Sequence, residues 1–319
     1  GLSGLFCLLS TRTRPAAIFS FSAAFMLLFC LLYGHLFAKP ALDLSGRTLS
    51  LSGTVLETGH ASFLLDGETE SGQALNVQVW CSTDMVPNRY QEFSGIVELS
   101  AITSTDRFDS ESYYRSRGIY LQGQLLSGSF RDPERISLES LPGRLNDLAC
   151  QKIRTLLPEK YSGLVCAVAL GNRTYQLDEQ YDLFVQLGIQ HLLAVSGMHL
   201  ALLTGMFSLL FGRLFRDKRV KILFCMAFVL FYMLLTGMSP SVSRSGIMLL
   251  LSYLAQLISR RADTPVSLSA AVLLMLLYNP FIARNTGFLF SVCTTIGVRM
   301  LAEPLSEKVL SWKKKNPPG

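Results

Sequence analysis

Apolar and polar residues follow three regimes along this chain. Residues 16–38 run for 23 positions without Asp, Glu, Lys or Arg, enough for a helix to cross a bilayer of ~30 Å. The middle of the chain breaks into short β-prone runs of partly alternating character at 47–56, 61–65, 74–80 and 93–102. Gly, Asp, Asn and Pro divide them. A helical patch follows at 109–117 and a further strand at 119–126. Five short strands with an interposed helix predict a small barrel of the OB type, and a small sandwich fits the same pattern. Residues 144–157 place Leu145, Leu148, Ala149, Ile153 and Leu156 at helical spacing, which predicts an amphipathic helix on a membrane surface. From 191 onward apolar runs return at 198–214, 222–238, 242–258, 266–278 and 287–301. The run 266–278 is short for a span and reads as re-entrant or sunk between other helices.

The predicted fold class is therefore an α+β membrane protein, a multi-pass transmembrane helical bundle with an extracytoplasmic small β-barrel. Four regions are expected: N-terminal transmembrane segments at 1–38, an OB-like domain at 39–140, amphipathic or interfacial helices at 141–190, and a helical membrane domain at 191–319. The apolar first ten residues read as the cut end of an earlier helix, and the chain is expected to be a piece of a longer one.

Composition and charge sharpen this topology. Half the residues are hydrophobic, 16% are charged, and mean hydropathy is +0.35. Residues 39–182 hold 13 Lys and Arg against 19 Asp and Glu, whereas the rest of the chain is strongly basic. With Arg12 and Arg14 inside, helix 16–38 delivers the acidic section to the outside. Alternation then puts the loop 213–221, the Arg260-Arg261 turn and the lysines at 313–315 on the cytoplasmic side, as the positive-inside rule requires. Of seven cysteines, Cys7, Cys30, Cys225 and Cys293 fall in apolar runs. Cys81 and Cys150 are the pair that a disulfide on the soluble side would join, although nothing in the sequence fixes their separation.

The polar groups at the mouth of the second apolar region are the candidate chemistry. Gly188 to His199 reads GIQHLLAVSGMH. His191 and His199 lie ~80° apart on a helix of ~100° per residue. Either they line a path or they anchor the chain at the interface; a metal site needs a third ligand, and the sequence offers none nearby. Ser196 sits in half of a Gly-x-Ser-x-Gly elbow whose first glycine is Ala194, so a helix break is weighed against a nucleophile paired with a histidine. Arg244 lies two residues into an apparent span, facing the bundle interior or snorkelling outward. In the acidic domain Tyr90, Phe93, Phe108, Tyr113, Tyr114 and Tyr120 either stack on bases or pack a core. No Gly-x-x-x-x-Gly-Lys-Ser/Thr loop is present, so no nucleotide cofactor is expected and ATP use falls to a partner.

These residues resemble a known family. HLLAVSGMH at 191–199, preceded by FVQLGI at 184–189 and ALGNR at 169–173, is similar to the signature of the ComEC competence proteins. FDSESYYRSRGI at 108–119, TGMSPSVSRSGIM at 236–248, SRRAD at 259–263 and NPFIARNTGF at 279–288 continue in the family's order. The resemblance implies a non-enzymatic channel component of the bacterial cytoplasmic (inner) membrane, passing single-stranded DNA into the cytoplasm during natural transformation. Its implied partners are DNA, membrane lipid, a DNA receptor and a cytoplasmic helicase-type protein, with a homo-oligomer left open. His191, Ser196, Gly197, His199 and Arg244 are then pore-entry groups, with no catalytic or metal role. A membrane-embedded hydrolase using Ser196 and a non-transporting scaffold are the alternatives. Where the family has Gln-Leu-Ser after Gly-Phe, this chain has Leu289-Phe290-Ser291, and a frequent acid is replaced by Asn285. A polar contact is expected to be lost there. The metallo-β-lactamase-like domain that often follows in the family has no HxHxDH counterpart here.

Overall fold

The computed structural model describes residues 14–59, 61–70, 72–82, 85–104, 109–133, 137, 140–172, 174, 178–189, 193, 195–212, 217–260, 262–299 and 305–306. The chain divides into two compact units. Gly1–Tyr114 with Gly118–Arg131 forms one, and Arg115–Arg117 with Asp132–Gly319 forms the other.

In the first unit, α1 (Arg14–Tyr33) continues through one π turn at Gly34–Ala38 and a closing turn at Lys39–Leu42. Its stretch Ala24–Leu42, 19 residues of mean hydropathy 1.6, is long and apolar enough to cross a membrane. It is the one such helix among the described residues.

Five strands follow: β1 (Thr48–Thr58), β2 (Ser62–Thr69), β3 (Ala74–Trp80), β4 (Glu92–Ala101) and β5 (Leu121–Arg131). They close into a barrel in the order β1-β2-β3-β5-β4, which decides against a sandwich and leaves no edge strand exposed. Every pairing is antiparallel except β3 with β5, where Val77 faces Leu121 and Trp80 faces Gln124.

The period of two is plain in β3. Leu75, Val77 and Val79 are buried, while Ala74, Asn76 and Trp80 are exposed. Phe63, Phe93 and Phe130 fill the barrel, with ring centroids 5.3 to 5.5 Å apart. Leu64 lies outside that interior and is covered by Ile102 and Ile119, with Leu56 and Tyr114 packed against them. Tyr90, Phe93 and Tyr120 are therefore core residues; Phe108 lies outside the described residues. The predicted helical patch is α2 (Ser110–Ser116), opened by Asp109, whose carboxylate accepts the Ser112 N–H at 3.0 Å.

The second unit is helical: α3 (Leu141–Leu156), α4 (Glu159–Leu170), α5 (Asp178–Gln186), α6 (Gly197–Gly212), α7 (Lys218–Leu235), α8 (Pro240–Leu257), α9 (Thr264–Tyr278) and α10 (Thr286–Gly297). A 3-10 turn at Pro280–Arg284 joins the last two. The apolar helices α6, α9 and α10 have 16, 15 and 12 residues. Neither Cys81 nor Cys150 is in a disulfide, so the bridge weighed from the sequence is not formed. The Cys150 thiol instead donates to Asn146 Oδ1 at 3.7 Å.

Candidate functional site

The site gathers at the start of α6. Ser196 caps this helix, and its carbonyl accepts the first helical bond from Leu200 N at 3.2 Å. His199, three residues on, turns back: its Nδ1 accepts the Ser196 backbone N–H at 3.1 Å and lies 2.9 Å from Ser196 Oγ. A backbone N–H can only donate, so Nδ1 is an acceptor and the ring proton of the neutral imidazole sits on Nε2. The spacing is that of a capping box, with histidine where Glu or Gln usually stands. Both histidines were candidates; His191 lies outside the described residues.

At Gly197 the two helices α6 and α8 approach closely. A Cβ there would lie 2.5 Å from Ser245 Oγ and 3.8 Å from Arg244 Nη2, so any side chain would wedge α6 off α8. The Ser245 hydroxyl in turn bonds the Ser241 carbonyl one turn back. Beneath this contact Val195, Leu200, Val229, Tyr232, Met233 and Val242 form an apolar core.

Arg244 points inward, which decides between the two orientations open in the sequence. It is 8% exposed, and its Nε donates to Ser291 Oγ on α10 at 2.7 Å. Nη1 lies 3.3 Å from Met248 Sδ. Among the described residues no carboxylate pairs with it, and its remaining nitrogen is not sealed off from solvent. An inward guanidinium held by one hydroxyl and one thioether keeps hydrogen-bonding capacity for an anion. The structure thus brings Ser196, Gly197, His199 and Arg244 together where α6, α8 and α10 meet.

Two clusters supporting this site were not legible as functional in the sequence. The first is built on Asn146, mid-helix in α3. Its Nδ2 donates to the carbonyls of Leu170 and Leu235, both at 2.7 Å. Its Oδ1 accepts from Asn172 at 2.9 Å, and Asn172 also donates to Asp147 at 2.8 Å. Tyr232 adds a bond from its hydroxyl to the Ala169 carbonyl at 2.7 Å. Gly171 takes a left-handed φ of 71° to end α4 and packs beside Val195 and Thr236, so this network sits directly behind the α6 entrance. The ALGNR motif signalled the place, though not the bonds.

The second cluster corrects an expectation. Asn285, where a polar contact was expected to be lost, caps α10 through the Phe288 N–H at 3.1 Å and donates to Ser116 Oγ at 2.8 Å. Asn279 caps the 3-10 turn through the Phe281 N–H and donates to the carbonyls of Arg115 and Ser116, each at 3.0 Å. An asparagine keeps the acceptor that an acid would supply to this cap and adds a donor, which goes to Ser116. Among the described residues no group of three His, Cys, Asp or Glu side chains is placed to hold a metal ion.

Residues 168–317 match the family described as Competence protein. The chain is similar to ComE operon protein 3 of Bacillus subtilis, at 25% identity over 262 residues, covering 81% of this chain and 32% of that protein. It is also similar to Recombination protein 2 of Haemophilus influenzae, at 26% identity over 213 residues, covering 64% of this chain and 26% of that protein. The chain thus spans about a third or less of these relatives' length. No solved structure matches it. Its motifs, the family model over 168–317 and these two relatives together support a competence protein of the ComEC kind.

Proposed function

We propose that this chain is part of a multi-pass channel component of the bacterial cytoplasmic membrane that admits single-stranded DNA during natural transformation. The observation that carries the reading is Arg244, an inward-facing guanidinium without a carboxylate partner among the described residues, beside the capped start of α6. A polyanion crossing a bilayer needs positive groups that are few and held in place, so that the strand is guided without being trapped. One arginine among serines, Gly197 and a histidine presenting its Nε2–H meets that need. In this reading residues 39–190 face outward, the closed barrel is OB-like, and 213–221 and Arg260-Arg261 face the cytoplasm. A DNA receptor would deliver the strand and a helicase-type partner would pull it.

The 2.9 Å approach of Ser196 Oγ to His199 Nδ1 also matches a nucleophile beside its base. We read it as a helix cap, because the same Nδ1 is held by the backbone N–H of Ser196. The test is a transformation assay on the full-length gene, with protein level in the membrane measured alongside. Arg244→Ala is expected to lower transformation by about tenfold or more, the scale of one lost ionic contact, and Arg244→Lys to retain part of it. Wild-type transformation by Arg244→Ala at normal protein level would sink the proposal. Loss of function in Ser196→Ala together with normal entry of the strand would favour the hydrolase instead.

A further inference from the structure

Helix α3 is built inside out. Its buried residues are Asn146 and Cys150, whereas its leucines face away from the protein: Leu148 is 56% and Leu156 79% exposed, and Leu141 and Leu145 are exposed beside them. At ~100° per residue these four and Lys152 share one face of about 80°. A helix folded against water would present the opposite arrangement. The depth of α3 is also fixed, because Asn146 bonds the carbonyl of Leu235, the last residue of α7. If α7 crosses the bilayer, as the proposed function holds, its end and therefore α3 lie at the lipid headgroup level.

Beside the leucine face is an open cleft of about 450 Å³, lined by Gln151, Arg154, Thr155, Glu159 and Ser162. Thr155 lies only ~20° around the helix from Leu148, so the cleft adjoins the apolar face. It carries one guanidinium, one carboxylate and three neutral polar side chains. Leu157 and Tyr161 are exposed where α3 turns into α4.

We propose that this cleft binds the headgroup of a zwitterionic phospholipid with a primary amine, a phosphatidylethanolamine, whose acyl chains lie along the leucine face. Arg154 takes the phosphate by charge-assisted hydrogen bonds, with Gln151 and Thr155 beside it. Glu159 takes the ammonium, which has N–H groups to donate; a trimethylammonium has none. Lys152 lays its stem across the leucines and carries its charge to the headgroup level. The α3–α4 hairpin thereby anchors the asparagine network, and with it the α6 entrance, to the membrane surface.

The experiment is native mass spectrometry of the full chain. It is offered equal amounts of phosphatidylethanolamine, phosphatidylcholine and phosphatidylglycerol in detergent, with soluble glycerophosphoethanolamine as a headgroup-only competitor. Phosphatidylethanolamine should be retained above the other two. Arg154→Gln should lower that retention by about tenfold or more, the scale of a charge-assisted contact, while Glu159→Gln should remove the preference over phosphatidylcholine. Leu148→Glu should release all three lipids. Equal retention of the three lipids, or unchanged retention in both Arg154→Gln and Glu159→Gln, would overturn the proposal. So would undiminished retention of phosphatidylethanolamine by Leu148→Glu together with its full displacement by an equimolar amount of the soluble headgroup, which would make the cleft a site for a free phosphate compound. A dimer of the unaltered chain that Leu148→Glu converts to a monomer with lipid retention intact would also overturn it, by giving the face to a second copy. Circular dichroism and gel filtration check that each variant folds. The readout contains no DNA, so it stands or falls separately from the transformation assay.

Discussion

The barrel and the helical unit store their polar groups in opposite places. The barrel hides Phe63, Phe93, Val77 and Leu99 and turns Ser52, Asn76, Glu92 and Glu98 outward. The helical unit hides Asn146, Asn172, Asn279, Asn285 and Arg244 and turns leucines outward along α3, α6, α7 and α9. Burial of polar groups is tolerated where each finds a partner, and every one of these asparagines does. The difference is what the proposed function would require of the surroundings of each unit. The first arrangement suits water, and the second suits a setting in which outward leucines cost nothing.

Substitutions test that contrast. The largest effect is expected in the barrel, where Phe63→Ala should cost about 3–5 kcal/mol through the cavity left between Phe93 and Phe130, read as lost hydrogen-exchange protection across β1–β5. In the helical unit Asn146→Leu keeps the branched shape but strands two carbonyls and one N–H of the Asn172 amide. It should cost about 2–3 kcal/mol by thermal unfolding in detergent. If that leucine were neutral, the polar core would not be holding the unit together. A smaller loss, about 1 kcal/mol, is expected for Asn285→Ala through the α10 cap, with protease sensitivity rising at 285–290 first. The smallest change is the most telling. Leu209, 77% exposed on α6, can become Asn with a change within about 0.5 kcal/mol in detergent, yet Leu209→Asn should reduce extraction-resistant membrane insertion. Unaltered insertion would show that the outward leucines do not face lipid.

The barrel was legible because alternation reports burial directly, and β3 shows it residue by residue. Strand pairing was less so: β5 runs on to Arg131, and its parallel contact with β3 joins segments that no local pattern links. Arg244 announced itself as a charge in an apolar run, but Ser291, its partner 47 residues on, did not. Ser196 was weighed as a helix break or as a nucleophile paired with a histidine, and its cap with His199 went unread, since both uses need the same two groups in reach. Asn146 stayed hidden, because a polar residue inside an amphipathic helix reads as solvent-facing until its neighbours turn out to be carbonyl groups at two helix ends. Asn285 misled for the opposite reason, a lost charge being taken for a lost contact.

Sequence distance in this protein is also elapsed time. Arg115 and Ser116 wait for Asn279, 164 and 163 positions downstream, and Ser116 for Asn285, 169 positions downstream. All five strands have left the ribosome well before those asparagines are made. At a synthesis rate of about 5–20 residues per second the interval is roughly 10–30 s. Until it ends, the Arg115 and Ser116 carbonyls lack their bonds from Asn279 and the Ser116 hydroxyl its bond from Asn285, and completion of the late helices supplies all three.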